Sequence, residues 1–216
     1  MNFKWLNDPV IQPKLNTPMV KTLLTALLLT SFLARAQVAT FDVIMAGHTI
    51  GSVKVLELNG TERLRKRIEA EFSVPFYSGS FVSENQFSDG TLHSSLTEQT
   101  VNGKRREQTI TTRVASQHYR FDLSEKADRN RKWEVTAPIA HTITGLYYQE
   151  PAQVPAVYSE KYGAMCKIRK LGNGQYSVEL PNGKESVYSY EHGSCVRVVT
   201  ELAGVKLSIV RKQRPL

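Results

Sequence analysis

Cysteine is scarce, no apolar run is long enough to cross a bilayer, and no two histidines share metal-binding spacing. Each shortage removes a class of protein. Two cysteines, Cys166 and Cys195, in 216 residues exclude a disulfide-stapled miniature fold and a cysteine-built zinc site. His48, His93, His118, His141 and His192 never fall at the i, i+2 or i, i+4 separation that brings two imidazoles to one ion, so no metal or other cofactor is expected. A Gly-x-Ser-x-Gly elbow is missing, which leaves a serine nucleophile without its usual strand-to-helix turn. The paired carboxylates Glu69 and Glu71 alternate with apolar residues and read as the wet face of a strand. Nothing supports a catalytic constellation, and the chain is read as a non-enzyme.

The longest apolar run, Thr22 to Leu33, covers about 12 residues against the ~20 that a membrane helix needs. It follows Met19-Val-Lys21 and precedes Ala34-Arg-Ala36, the order of basic start, apolar stretch and small-x-small cleavage site found in secretory leaders. The expected organisation is therefore an upstream extension over 1–18, a signal peptide over 19–36 cleaved between Ala36 and Gln37, and one domain over 37–216. The product would be periplasmic or extracellular, with no transmembrane span in the mature chain. Loss of the leader's four basic residues and one acid lowers the net charge from +8 to +5. Outside the cytoplasm that excess points to anionic envelope components rather than to nucleic acid.

Turn dipeptides, by contrast, are plentiful. Gly47-His48, Asn59-Gly60, Asp89-Gly90, Asn102-Gly103, Asn173-Gly174, Asn182-Gly183, His192-Gly193 and Ala203-Gly204 punctuate the chain at roughly ten-residue intervals, a strand plus a turn. Between them apolar residues alternate with polar ones. Phe41, Val43 and Met45 share one face. Ile68, Ala70, Phe72, Val74 and Phe76 share another, and Val205, Leu207 and Ile209 a third. A period of two leaves one face dry. The predicted fold is all-β: about a dozen antiparallel up-and-down strands in a curled sheet or open barrel, with one short helix or loop over its mouth.

That cover is expected between Thr136 and Gly163, where three prolines and Tyr147, Tyr148, Tyr158 and Tyr162 occur without a turn dipeptide. Ile139 to Gln149 is the candidate helix. Gly51 is expected to mark a bulge where its strand bends.

Phe41-Asp-Val-Ile-Met-Ala-Gly-His-Thr-Ile-Gly-Ser-Val-Lys-Val55, Ile143-Thr-Gly-Leu-Tyr-Tyr148 and Asn182-Gly-Lys-Glu-Ser-Val-Tyr-Ser-Tyr190 resemble a family of exported β-proteins, mostly from Bacteroidota, catalogued as a domain of unknown function. More distantly the pattern is similar to periplasmic half-barrel lipoprotein carriers. The resemblance implies an exported β-fold and brings no catalytic residues with it.

Candidate sites follow from residue chemistry. Tyr147, Tyr148, Tyr158 and His141 are placed around a ligand, because tyrosine suits an apolar cavity with a wet rim; rings that merely fill the core are the competing reading. Arg63, Arg65 and Arg67 on one strand face are candidates for anion binding, against a plain role in deterring edge pairing. Cys166 and Cys195 would form a disulfide only if the sheet curled onto itself. In a simple meander they lie on the first and fourth strands, ~14 Å apart, whereas a bridge needs Cα atoms within ~7 Å. The functional expectation is an exported envelope protein holding a lipid-like, apolar or amphipathic ligand, or binding an envelope component. A structural or assembly factor with a filled core is the alternative, and an enzyme on a β scaffold the least supported.

Overall fold

The computed structural model describes residues 37–59, 63–125, 129–202 and 204–213. The proposed extension over 1–18 and leader over 19–36 lie outside the described residues. Fourteen strands follow one another: β1 (Gln37–Met45), β2 (His48–Asn59), β3 (Leu64–Val74), β4 (Tyr77–Ser88), β5 (Thr91–Val101), β6 (Lys104–Ala115), β7 (His118–Glu125), β8 (Arg129–Thr136), β9 (Ala156–Ser159), β10 (Ala164–Gly172), β11 (Gln175–Glu179), β12 (Glu185–Glu191), β13 (Ser194–Leu202) and β14 (Val205–Arg211). They form one antiparallel sheet in the order β8-β7-β6-β5-β4-β3-β2-β1-β14-β13-β12-β11-β10-β9. The first and last strands pair with each other at its middle, through Phe41↔Arg211 and Val43↔Ile209. This is the expected up-and-down all-β fold, and it is not closed.

The turns form because their residues accept a left-handed backbone. Asp89-Gly90, Asn102-Gly103, Asn173-Gly174 and His192-Gly193 all have both φ values positive, the requirement of a two-residue hairpin whose twist matches its strands. Among the described turns, two hairpins reverse without glycine. The chain reverses at Pro75-Phe76 and again at Ser116-Gln117, with φ of +66° at Phe76 and +57° at Gln117. Phe76 therefore leaves the apolar row predicted for β3. It caps the β3–β4 turn and is 101% exposed.

Register shifts bend the sheet. One falls between Val43 and Ile44, so that Val43 pairs with Gly51 and Ile44 with Thr49, leaving Ile50 as the extra residue. The bulge thus lies beside Gly51. Further shifts occur at Gln86/Phe87, Gln99/Thr100, Arg113/Ala115 and Ser189/Tyr190. Each adds local twist and curl.

The two edges are treated differently. β9 has only four residues, while β8 reads Arg-Asn-Arg-Lys-Trp-Glu-Val-Thr and is mostly exposed. A short strand and a charged strand are two ways to blunt an edge against aggregation. The curl brings them near without a backbone ladder between them among the described residues. The seam is made by side chains instead. Trp133 donates its indole N–H to the carbonyl of Gly163 at 3.0 Å and packs on Phe121 with ring centroids 4.2 Å apart. At Gly163 a Cβ would come within 2.5 Å of the Phe121 ring, so only glycine lets the β9–β10 turn approach so closely.

Residues 137–155 run from the end of β8 to the start of β9 and cross the inside of the curl. Leu92 N–H bonds the carbonyl of Ile139, and Thr142 forms an isolated parallel bridge to Tyr158. The helix expected over Ile139–Gln149 contracts to a single 3₁₀ turn, Thr144–Tyr147, because the residues before it are held extended by these pairings. The segment covers the sheet end that carries the 89–90, 116–117, 173–174 and 192–193 turns. A main core surrounds it: Phe41, Val53, Ile68, Val178, Tyr188 and Val198 belong to one buried cluster with Leu146 and Tyr147. A smaller cluster joins Phe87, Leu92, Tyr119, Ile139 and Tyr158.

Candidate functional site

One face of the curl is less apolar than its alternation suggests. Ser83 on β4, Thr97 on β5 and Thr109 on β6 lie side by side in register and all are buried. Leu96 and Ile110, their neighbours in sequence, point outward and are 36% and 41% exposed. The buried hydroxyls are hydrogen-bonded. Thr109 Oγ1 donates to the carbonyl of Glu160 at 2.8 Å and accepts from Thr97 Oγ1 at 2.5 Å. Thr144 Oγ1 donates to Ser83 Oγ at 2.7 Å.

Glu160, in the turn after β9, is the charged centre of this wall. It is 2% exposed, and its carboxylate accepts three N–H groups. Asn85 Nδ2 donates to Oε1 at 2.7 Å and Thr144 N to the same oxygen at 3.0 Å, while Ile143 N donates to Oε2 at 3.2 Å. Asn85 also donates to Thr142 Oγ1 at 2.8 Å, and its own Oδ1 is buried with no protein partner. Among the described residues no basic side chain pairs with Glu160; the nearby lysines go elsewhere, Lys161 to Glu107 at 3.6 Å and Lys184 to Glu201 at 2.8 Å.

Beside this polar wall lies a cavity of about 370 Å³. Its other walls are mainly apolar, with Val53, Ile68, Ala70, Phe81, Tyr188 and Ile209 beside the paired hydroxyls of Ser186 and Thr200. Lys161, Tyr162, Asn182, Lys184 and Glu201 stand at its rim. These rim residues come from the β9–β10 and β11–β12 connections and the end of β13, so the opening is at the sheet end opposite the 137–155 cover. Asn182 Nδ2 donates to the Tyr162 hydroxyl at 2.8 Å and ties two rim segments together.

The tyrosines expected to gather at one ligand separate. Tyr147 lines the cavity, held edge-on against Phe41 and Tyr188 at centroid distances of 5.6 and 6.0 Å. Burial pushes its phenol well above the ordinary range. Tyr148 instead wedges its hydroxyl between β2 and β3, accepting Arg67 N–H at 2.8 Å and meeting the carbonyls of Leu56 and Arg67 at 2.5 and 2.8 Å. Tyr158 is fully buried in the smaller core, with its hydroxyl 2.9 Å from Thr111 Oγ1. His141 is exposed and lines a different space, about 260 Å³, under the cover with Lys66, Phe87 and Pro151. Desolvation, followed by the charge of Lys66, lowers its pKa.

The arginine row is occupied by protein side chains. Arg67 contacts Glu69 and Glu84 at 2.7 Å each, Arg65 reaches Glu84 at 3.4 Å, and Arg63 donates to Gln86 at 3.4 Å. Cys166 and Cys195 are free thiols on β10 and β13, three strand positions apart, as the meander geometry anticipates. Burial raises them to about 11 and about 12, which leaves little thiolate for chemistry at neutral pH.

Sequence reasoning missed Glu160, Asn85 and the Ser83–Thr97–Thr109 row. The available signal was Ser95-Leu-Thr97 and Thr109-Ile-Thr111, where hydroxyls occupy alternate positions; in isolation such a pattern reads as solvent-facing. No helix among the described residues is long and apolar enough to cross a membrane. A family model described as "Domain of unknown function (DUF6134)" matches residues 41–212. No curated protein and no solved structure matches the chain.

Proposed function

The chain belongs to the DUF6134 family, and from its geometry we propose that it is a non-catalytic, exported carrier of an apolar or amphipathic ligand. The observation that carries this reading is the cavity of about 370 Å³, apolar on most walls and open at one end of the half-barrel. Its size and its mix of an oily lining with a few polar groups are those of small-molecule sites. The opposite end is sealed by residues 137–155, so a ligand would enter and leave by the rim of Lys161, Asn182 and Lys184. The leader-like order of Met19 to Ala36 supports a role outside the cytosol, where a ligand of low aqueous solubility needs an escort between membranes.

The test is native mass spectrometry of the protein purified from its own envelope fraction, followed by solvent extraction. A co-purifying small molecule of amphipathic character, lost when the cavity is filled by substitution, is the expected result. An empty protein that also fails to take up an apolar dye would overturn the carrier reading. The structural or assembly role would then stand, with the hydrogen-bonded packing of Tyr148, Tyr158, Thr97 and Thr109 as its basis.

A further inference from the structure

We infer that the cavity selects a ligand bearing a cationic or hydrogen-bond-donating head, an alkylamine in chemical class, and discriminates against a carboxylate or phosphate head. This rests on the carrier reading above and specifies its ligand. Two independent observations meet in it: a two-sided cavity, and a buried carboxylate on its polar wall with no cationic partner among the described residues.

A carboxylate offers roughly four acceptor positions. Glu160 uses three: Oε1 accepts from Asn85 and Thr144, and Oε2 accepts from Ile143 alone. One acceptor position of Oε2 is therefore left over on a residue that lines the cavity. Buried charges are ordinarily paired, because desolvation without compensation is costly. An entirely apolar ligand would displace water from this wall and supply nothing in return. An anionic head would add repulsion. An ammonium would donate to Oε2 and neutralise it.

The rim does not reverse this preference. Lys161 and Lys184 could attract an anion, but Lys161 is engaged by Glu107 and Gln99, and Lys184 by Glu201. The hydroxyls of Ser83, Thr97 and Thr144 on the same wall are suited to accept from further ammonium or hydroxyl protons. With an effective dielectric of ~20, a unit charge ~6 Å from Glu160 changes affinity about 100-fold in either direction. Desolvation of the ammonium head takes back part of that gain, so a difference of at least ~10-fold between amine and carboxylate remains.

The experiment is displacement of a neutral fluorescent apolar dye from the purified protein by decylamine, decanol and decanoate at pH 7, each below its micellar concentration. Decylamine should compete at least ~10-fold better than decanoate, with decanol between them. The Glu160→Gln variant, with each competitor read against the variant's own dye affinity, should lose most of that spread. Equal competition by decanoate, or a preference for it, overturns the inference while leaving the carrier reading intact. Dye binding with no competition by decylamine does the same. Absence of dye binding to the wild-type protein overturns the carrier reading and this inference together. The wild-type series is decisive without the variant.

Discussion

The side-chain amide of Asn85 donates to the carboxylate of Glu160 across 2.7 Å, joining residues 75 positions apart in the chain. Asn85 belongs to the interior face of β4, and Glu160 to the turn that leaves the short edge strand β9. This contact, with Thr109 Oγ1 on the Glu160 carbonyl and Trp133 on Gly163, holds the curled sheet together where the described residues form no ladder. A buried hydrogen bond to a charged group contributes about 1.5–3 kcal/mol.

Glu160→Ala is expected to destabilise the protein more than Asn85→Ala. The first leaves the Thr144 N–H without its acceptor and takes one of the two bonds of Asn85 Nδ2, while Ile143 N–H keeps the carbonyl of Tyr158. The second also deletes the Oδ1 that has no protein partner, which offsets part of its cost. Urea denaturation should give a loss of about 3 kcal/mol for Glu160→Ala and about 1–2 kcal/mol for Asn85→Ala, with a coupling of at least about 1 kcal/mol in the double-mutant cycle. Additive losses would show that the pair does not act as a unit.

A second prediction concerns Phe72, which stands in register with Gly51 on one side and Gly79 on the other. A Cβ at Gly51 would lie 2.6 Å from Phe72 Cα and collide with the Glu71 carbonyl oxygen. At Gly79 it would meet the Phe72 ring at 2.3 Å, nearest at the far end of a side chain that is only half-buried. Backbone cannot yield as a ring can. Gly51→Ala should therefore cost about 3 kcal/mol or more and Gly79→Ala about half of that, on the scale of overpacking penalties. Thermal melts of both variants check the order; the reverse order would mean that β2 and β3 separate easily.

Much of this architecture is legible in the sequence because turn chemistry is local. Asp89-Gly90 and Asn102-Gly103 each announce a hairpin by what their own backbones can adopt. Alternation places Phe41, Val43 and Ile68 inside. Three things depend on distant partners and are not legible. The pairing of β1 with β14 needs both ends of the domain. The hairpin at Pro75-Phe76 carries no glycine, and its exposed ring hides among apolar neighbours. The inversion at Leu96 and Ile110, which turns Thr97 and Thr109 inward, makes sense only once Glu160 and Thr144 supply hydrogen-bond partners. For the same reason Tyr147, Tyr148 and Tyr158 look alike in sequence and serve three separate contacts in the fold.

Stability should fall as pH rises above about 9. The thiols of Cys166 and Cys195 stand at about 11 and about 12 in the folded protein against an ordinary 9.0, chiefly through burial, and burial likewise raises the phenols of Tyr147, Tyr148 and Tyr158. Below the unfolded pKa both states keep their protons and the full stability is present. Above it the unfolded chain releases protons that the folded chain retains, which favours unfolding. Each thiol should account for a loss of about 1 kcal/mol by pH 10, with tyrosines adding to it beyond. Urea midpoints at pH 8, 9 and 10 measure the slope. Both thiols should also resist alkylation at pH 8 until denaturant is added; rapid labelling of the native protein would contradict their burial.

Filling the cavity should abolish uptake without harming the fold. Ala70 lines it and is only partly buried, opposite Val53 on β2 and Phe81 on β4. Ala70→Trp projects an indole into open space rather than into packed atoms, so overpacking strain should stay below the roughly 1–3 kcal/mol seen in filled cores. Neutral-dye affinity should drop at least ~10-fold, since the loss of ligand contact area exceeds one tenfold step of about 1.4 kcal/mol. Ala140→Trp, in the separate space beneath the 137–155 cover, should leave the affinity unchanged. Dye titration with a melting curve on each variant separates the two sites. If Ala140→Trp blocks uptake and Ala70→Trp does not, the ligand enters beside His141 and the rim of Lys161 and Lys184 has no part in binding.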